Sequence, residues 1–426
     1  MRRLLRGTCA VVLAAATVAT AAPSASAASK RGDTVRISVS ADGREVAYGG
    51  RSPSLSADGR FAVFESSSPG LVPEDTDQKT DVFLRDLRRG TIERISVRDD
   101  GGAYEHSSFA ARISPDGRYV TYTAGTGSYA DGTYFSGVYL HDRVKHRTEL
   151  VSLTDDERAV PQPYGTAQVS RGGRYVAFLA EFRDTGDTGD GVRNGLYLRD
   201  RRLGTTRLIS RATPPTAGGS EWTVGYHFTM SADAGRLAYG LERGRAGYVV
   251  HVHDRRTGRT EAFDEAAGTR RPPTFSGDGR HMAFVSFEAD LVPGDTNATS
   301  DVFVRDLRTG TTERVSLAAD GGQLDDRSGP PVISEDGRRV VFSSAGTGLV
   351  PGGTEKTQLY VRDLRTDVNR QVTVALHPDD VGYGVYAWQE AAPSRDGRTV
   401  AFETHAGNLV PGDTNRSSDV FVRRMR

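Results

Sequence analysis

One short block returns seven times along this 426-residue chain. It reads Ser, a variable residue, Asp-Gly-Arg and then an apolar run: "SADGRFAVF" from Ser56, "SPDGRYVTY" from Ser114, "SRGGRYVAF" from Ser170, "SADAGRLAY" from Ser231, "SGDGRHMAF" from Ser276, "SEDGRRVVF" from Ser334 and "SRDGRTVAF" from Ser394, at intervals of 45 to 61 residues. Self-similarity at such a period marks a module that cannot bury its apolar faces alone, so the copies must stack on one another. Length alone would suggest two or three domains; the repeats make the chain one array.

Each block is followed by a second apolar run closed by Asp, as in "VFLRD", "VYLHD", "LYLRD", "VVHVHD", "VFVRD" and "LYVRD", with "VFVRR" at the end. Asp-Gly between two apolar runs is a hairpin signal, because Gly takes the positive φ of a tight turn and Asp bonds nearby backbone amides. It joins strands A and B. At the exit of strand C, Asp86, Asp142, Asp200, Asp254, Asp306 and Asp363 cap a second turn before a Gly-containing reversal into strand D. The central strands are apolar on both faces, as at Phe61, Val63 and Phe64 or Val340, Val341 and Phe342. A sheet of that kind must lie between two others, and radial repetition of four-stranded antiparallel sheets is a β-propeller. The expected fold is all-β, a single seven-bladed propeller over residues 33–426.

The last unit supplies strands A (391–394), B (399–403) and C (419–423) but no D, while residues 34–39 are a D strand without a unit. The first strand is therefore expected to complete the last blade and remove the open edge. Burial of Val35, Ile37 and Val39 would contribute about 1.5–3 kcal/mol each.

On the "S-x-D-G-R…VAF" and "DVFVRDL" blocks the chain resembles the TolB-like, WD-repeat-like propeller family of bacterial exported proteins, over residues 33–426. The resemblance implies the fold; such propellers serve as interaction modules, sugar lyases or peptidase-associated domains, so chemistry must be argued from residues.

Residues 1–27 read as a cleaved secretory signal peptide: a basic head "MRRLLRG", an apolar stretch too short to span a membrane, and an A-x-A site at Ala25-Ser26-Ala27, with 28–32 a short linker. The expected location is extracellular. Cys9, the one cysteine, lies inside that segment, which leaves no disulfide and no lipid anchor. Without Arg2, Arg3 and Arg6 there are 52 basic and 55 acidic side chains, about −3 overall, which argues against nucleic acid as a partner. A monomer is expected.

Chemistry is expected where the D–A and B–C connections share one face around the channel mouth. "GGSEWTVGYHF" (218–228) and "VGYGVYAWQEAAP" (381–393) contain both tryptophans. Trp222, Tyr226 and His227 would face Tyr383, Tyr386 and Trp388 as an aromatic platform for a protein partner or a cell-envelope glycan, since flat amphipathic rings give large contact area at low entropy cost. The alternative is a polysaccharide lyase or glycoside hydrolase using His106, His227 or His377 with the acids Asp155-Asp156-Glu157, Asp325-Asp326 or Asp379-Asp380. His251 and His253 alternate on one strand face without a third metal ligand. No G-x-S-x-G or H-E-x-x-H motif occurs.

The B–C loop "LVPEDTDQKTD" (71–81) recurs at 291–301 and 409–419 and, degraded, from Leu349. Its oxygens at positions 1, 3 and 7 have calcium-loop spacing. It lacks a Gly at position six, and the acid at position twelve, Asp86 or Asp306, lies beyond strand C. Asx turns explain the same residues, so no cofactor is required, with calcium at these loops the one candidate.

Overall fold

The computed structural model describes residues 33–425 apart from 161–162, 184–191, 212–222, 243–247, 267–270, 298, 354–355 and 377–390. Twenty-eight strands in these residues, β1–β28, form seven four-stranded sheets. Blade one is β2 (Arg51–Leu55), β3 (Phe61–Ser66), β4 (Asp81–Asp86) and β5 (Thr91–Arg94). Blades two to six follow as β6–β9 over 108–150, β10–β13 over 163–211, β14–β17 over 223–263, β18–β21 over 274–314 and β22–β25 over 332–371. Blade seven is β26 (Ala391–Pro393), β27 (Thr399–Thr404) and β28 (Asp419–Arg424), completed by β1 (Thr34–Arg36).

Closure is as expected, antiparallel, with Val35 opposite Val422. The closing strand is shorter than the sequence suggests, three residues rather than six, although the Ile37 amide continues the ladder to the Val420 carbonyl at 2.8 Å. Val35 is a correction: it faces out at 37% exposure, while Ile37 (2%) and Val39 (7%) are the buried pair. Ile37 packs with Phe64, Leu71, Phe83, Val420 and Val422, so the closing segment sits in the core shared by blades seven and one.

The repeated block builds one end of the ring. In blade one the Ser56 hydroxyl donates to Asp58 at 2.6 Å and accepts the Phe61 amide at 2.9 Å. The same pair of bonds forms from Ser114, Ser276, Ser334 and Ser394. Gly117 and Gly173 have φ of 73° and 71°, and a Cβ on either would strike a ring of the preceding blade, Phe61 or Tyr119. Glycine is thus required there for conformation and for blade-to-blade approach. In blade four Ala234 takes the position at φ 54°.

The signature Arg has a partner that motif reading missed. Arg60, Arg118, Arg174 and Arg280 pair with Asp86, Asp142, Asp200 and Asp306 at 2.5–2.7 Å. In blades four and six an Arg one step along the strand, Arg236 or Arg339, reaches Asp254 or Asp363. The aspartates also accept turn amides, as Asp86 does from Arg88 and Arg89. These bonds answer the position-twelve acid of the supposed calcium loop: Asp86 and Asp306 are committed to the other end of the ring.

Candidate functional site

A meander blade places A–B and C–D turns at one end of the disc and D–A and B–C connections at the other. The turn end is tied together. Neighbouring A–B turns bond to one another at all seven junctions: Ala57 to Pro115, Gly172 to the Asp116 carboxylate, Arg171 to Ala232, Asp233 to Gly277, Gly277 to Glu335, Asp336 to Arg395, and Arg395 to Ala57. Arg171 of blade three also pairs with Glu335 of blade six at 2.5 Å. Burial pushes the Glu335 carboxyl up, and Arg171 and Arg395 counter it. Above this floor the seven A strands surround a central cavity of about 370 Å³. Its walls include Pro53, Arg112, Gln168, His227, Arg271 and Pro331.

Near the mouth the A strands are distorted. Pairing with strand B slips between Arg51 and Ser54, Phe109 and Arg112, Tyr164 and Gln168, and Val224 and Phe228. Bulges of this kind re-aim side chains and are common beside binding sites. Ser52 (φ 54°) and Ala110 (φ 59°) hold left-handed conformations without being glycine, which costs energy. Acids on the adjacent blade, half-buried Glu403 and buried Glu65, secure them. Glu403 accepts the Ser52 amide at 2.9 Å and the Ser418 hydroxyl at 2.7 Å, and Glu65 accepts the Ala111 amide at 3.2 Å. Burial pushes the Glu65 carboxyl above its ordinary range. The signal for both was available in sequence: a lone Glu in an otherwise apolar B strand, "FAVFES" or "VAFET".

Of the expected platform, Tyr226 and His227 are described, both exposed on the bulge of β14 (Thr223–Met230), with Tyr226 at 69%. Tyr226 meets Tyr164 of the next blade edge to face, 5.6 Å between centroids. Trp222, Tyr383, Tyr386 and Trp388 lie outside the described residues, as do His377, Asp379 and Asp380. A second aromatic group, unremarked in the sequence, lies at the loop end of blade two. Tyr129 and Tyr134 stack at 3.9 Å, and His106 stands edge-on to them at 5.5 and 5.0 Å. His106 is fixed by the Gly127 carbonyl at 2.7 Å. Tyr129 remains 70% exposed.

The described acidic runs serve the fold. Asp155 and Glu157 are not at the mouth: their connection folds against the outer edge of blade three, where Asp155 accepts the Thr206 amide and Glu157 pairs with Arg199 at 2.7 Å. Asp325 accepts the amide and hydroxyl of Thr347. His251 stacks on Tyr239 and His253 bonds Thr260, so that pair is packed.

The B–C loops share one anchor. Asp81, Asp301 and Asp419 each accept the hydroxyl of the serine two residues past the D strand, Ser96, Ser316 or Ser38. In blade one Asp75, Asp77 and Asp81 bring three carboxylate oxygens within 4.8 Å of one another. Asp75 is 3% exposed, and its Oδ1 has no hydrogen-bond partner. Burial and the neighbouring Asp81 charge push its carboxyl up to about 6.

No protein-family model matches the chain, and no curated protein does. Solved structures match its shape. The β-propeller domain of the Trilobed protease from Pyrococcus furiosus aligns at 10% identity over 84% of this chain and 90% of that one, with a TM-score of 0.51. Pyrococcus horikoshii acylaminoacyl peptidase aligns at 10% identity over 89% of this chain and 52% of that one, TM-score 0.52. TolB from Acinetobacter baumannii aligns at 13% identity over 87% and 82%, and its TM-score of 0.40 is too low to carry an argument. These likenesses concern the propeller fold alone. The Trilobed domain is described as having an open velcro topology, whereas here β1 lies in the ladder of β28.

Proposed function

We propose that the protein is an exported binding module that takes a cell-envelope glycan on its loop-end face. The observation that carries this reading is the aromatic surface there: Tyr129 stacked on Tyr134 beside His106, and Tyr226 set against Tyr164. Large rings held in place by ring neighbours and still mostly exposed lose little entropy on binding, and their faces and hydroxyls suit the mixed apolar and polar surface of a sugar. The bonded ring of turns supports the same choice of face, because it ties down the turn end and leaves the longer connections to the loop end. A protein partner would use the same rings and is the competing outcome.

The test is a binding panel of cell-envelope polysaccharides and envelope proteins, run with wild type, Tyr129→Ala and Tyr226→Ala. Glycan capture should fall at least tenfold in one or both variants while the melting temperature holds. Capture of protein with no glycan retention would move the reading to a protein partner. New reducing or unsaturated ends after incubation with polysaccharide would replace a binding module by a lyase or hydrolase.

A further inference from the structure

We propose that the B–C loop of blade one is a calcium site held by Asp75, Asp77 and Asp81, and that its sister loops in blades five and seven are not. All three loops follow the same plan and begin strand C with the same aspartate, so differences among them isolate what each is built to hold. In the sisters the acids are satisfied from within. Position three is Asn, and its amide donates to the strand-C acid: Asn415 Nδ2 to Asp419 at 3.0 Å, Asn297 Nδ2 to Asp301 at 3.3 Å. A side chain from the D–A connection caps the loop threonine, Glu45 on Thr414 and Gln323 on Thr296. A D-strand arginine sits among the acids: Arg36 lies 3.1 Å from Asp413 and 3.5 Å from Asp419, and Arg314 lies 3.4 Å from Asp295 and 3.8 Å from Asp301.

Blade one departs at the first two points and in part at the third. Position three is Asp77, which adds a negative charge and has no amide to give. The capping position is Ala103, in the bridge register of Gln323 and Glu45. Arg94 comes within 3.7 Å of Asp81 and forms no ion pair with Asp75. The outcome is the orphaned, buried Asp75 Oδ1 inside a three-carboxylate cluster. Buried polar groups are almost always partnered. An ion with Ca–O bonds of about 2.3–2.6 Å can bridge oxygens as far apart as these, which bonds of about 2.0–2.1 Å to magnesium cannot, and hard oxygen donors of this charge suit calcium. Lys79 pairs with Asp77 at 2.7 Å, but both side chains are nearly half exposed, so that pair yields to a divalent ion at little cost.

The full chain, stripped with chelator, is titrated with CaCl₂ by calorimetry and melted with and without calcium. One ion per chain is expected, with a rise in melting temperature. Asp77→Asn, which installs the sister residue, should weaken binding at least tenfold and melt like wild type without calcium. Lys79→Ala should tighten binding about twofold or more, a gain that misfolding cannot imitate. Asp295→Asn should leave stoichiometry and affinity unchanged. No binding, three ions per chain, or unchanged affinity in both Asp77→Asn and Lys79→Ala would each overturn the proposal.

Discussion

The two ends of the ring are made from the same seven repeats, yet only one of them is uniform. At the turn end the serine–aspartate bonds recur in six blades of seven and the arginine–aspartate pairs in six, with the arginine shifted one step in blades four and six, and neighbouring turns join at every junction. At the loop end one loop plan is filled three ways: by Arg36, Asn415 and Glu45 in blade seven, by Arg314, Asn297 and Gln323 in blade five, and by Arg94 without an amide or capping partner in blade one. Repetition therefore secures the floor, and departure from it marks the surface where individual blades have separate tasks. If so, a substitution at the loop end should cost different amounts in different blades, and one at the turn end should cost the same everywhere.

The largest difference is expected between two equivalent arginines. Arg36 is 8% exposed and serves Glu45, Asp413 and Asp419 together. Arg36→Ala leaves those acids without their cation and should cost about 3–5 kcal/mol, the usual penalty for breaking a buried pair from one side. Arg94, with a single looser ion pair at 3.7 Å to Asp81, should cost less, about 1–3 kcal/mol, when replaced by Ala. Urea unfolding of both variants measures the gap, and equal losses would show that the blade-one loop is filled internally like its sisters.

That contrast explains what could be read in advance. Blade number, strand order and closure by the first strand follow from the Ser-x-Asp-Gly-Arg spacing and from a missing D strand, both of which are local and repeated. The turn aspartates were legible for the same reason. The Arg60–Asp86 type of pair was not, because it joins residues 26 apart whose proximity depends on register across strands B and C. The mouth was harder still. Tyr129 and Tyr134 meet His106 across two different loops, Asp155 folds away from the face its loop type implies, and Val35 faces out because the closing strand is an outer one. Each is a matter of loop path, which residue type alone does not set.

Acid should expose the same asymmetry with a smaller effect. Burial raises the Glu45 carboxyl, but the Thr414 hydroxyl and amide and the Arg36 guanidinium more than offset this and hold it at about 2. A depressed carboxylate adds stability that is complete above its unfolded value near 4.5 and is lost as pH falls toward 2. The contribution is on the order of 2 kcal/mol after screening of its partly exposed side chain. Asp413 runs the other way: burial and the Asp419 charge lift it to about 6, so its ionisation opposes folding at neutral pH and is relieved as pH drops from 6 toward 4. The stability difference between wild type and Glu45→Gln should therefore be constant above about pH 6, change modestly where Asp413 titrates because the Glu45 charge helps to raise it, and close between 4.5 and 2. A difference that persists at pH 2 would mean that Glu45 acts through packing.

The smallest effect tests the uniform end. Ser276 is buried, donates to Asp278 at 2.7 Å and accepts the His281 amide at 2.9 Å; Ser394 does the same with Asp396 and Thr399 at 2.8 and 3.0 Å. Replacing either with Ala strands a half-buried amide and should cost about 1–2 kcal/mol. Because the surroundings repeat, the two losses should agree within about 0.5 kcal/mol, and the double variant should show their sum, the sites lying two blades apart with no shared partner. A clear excess in the double variant would mean that the ring of bonded turns transmits strain from blade to blade, so that the floor behaves as one mechanical unit and its uniformity reflects coupling as well as repetition.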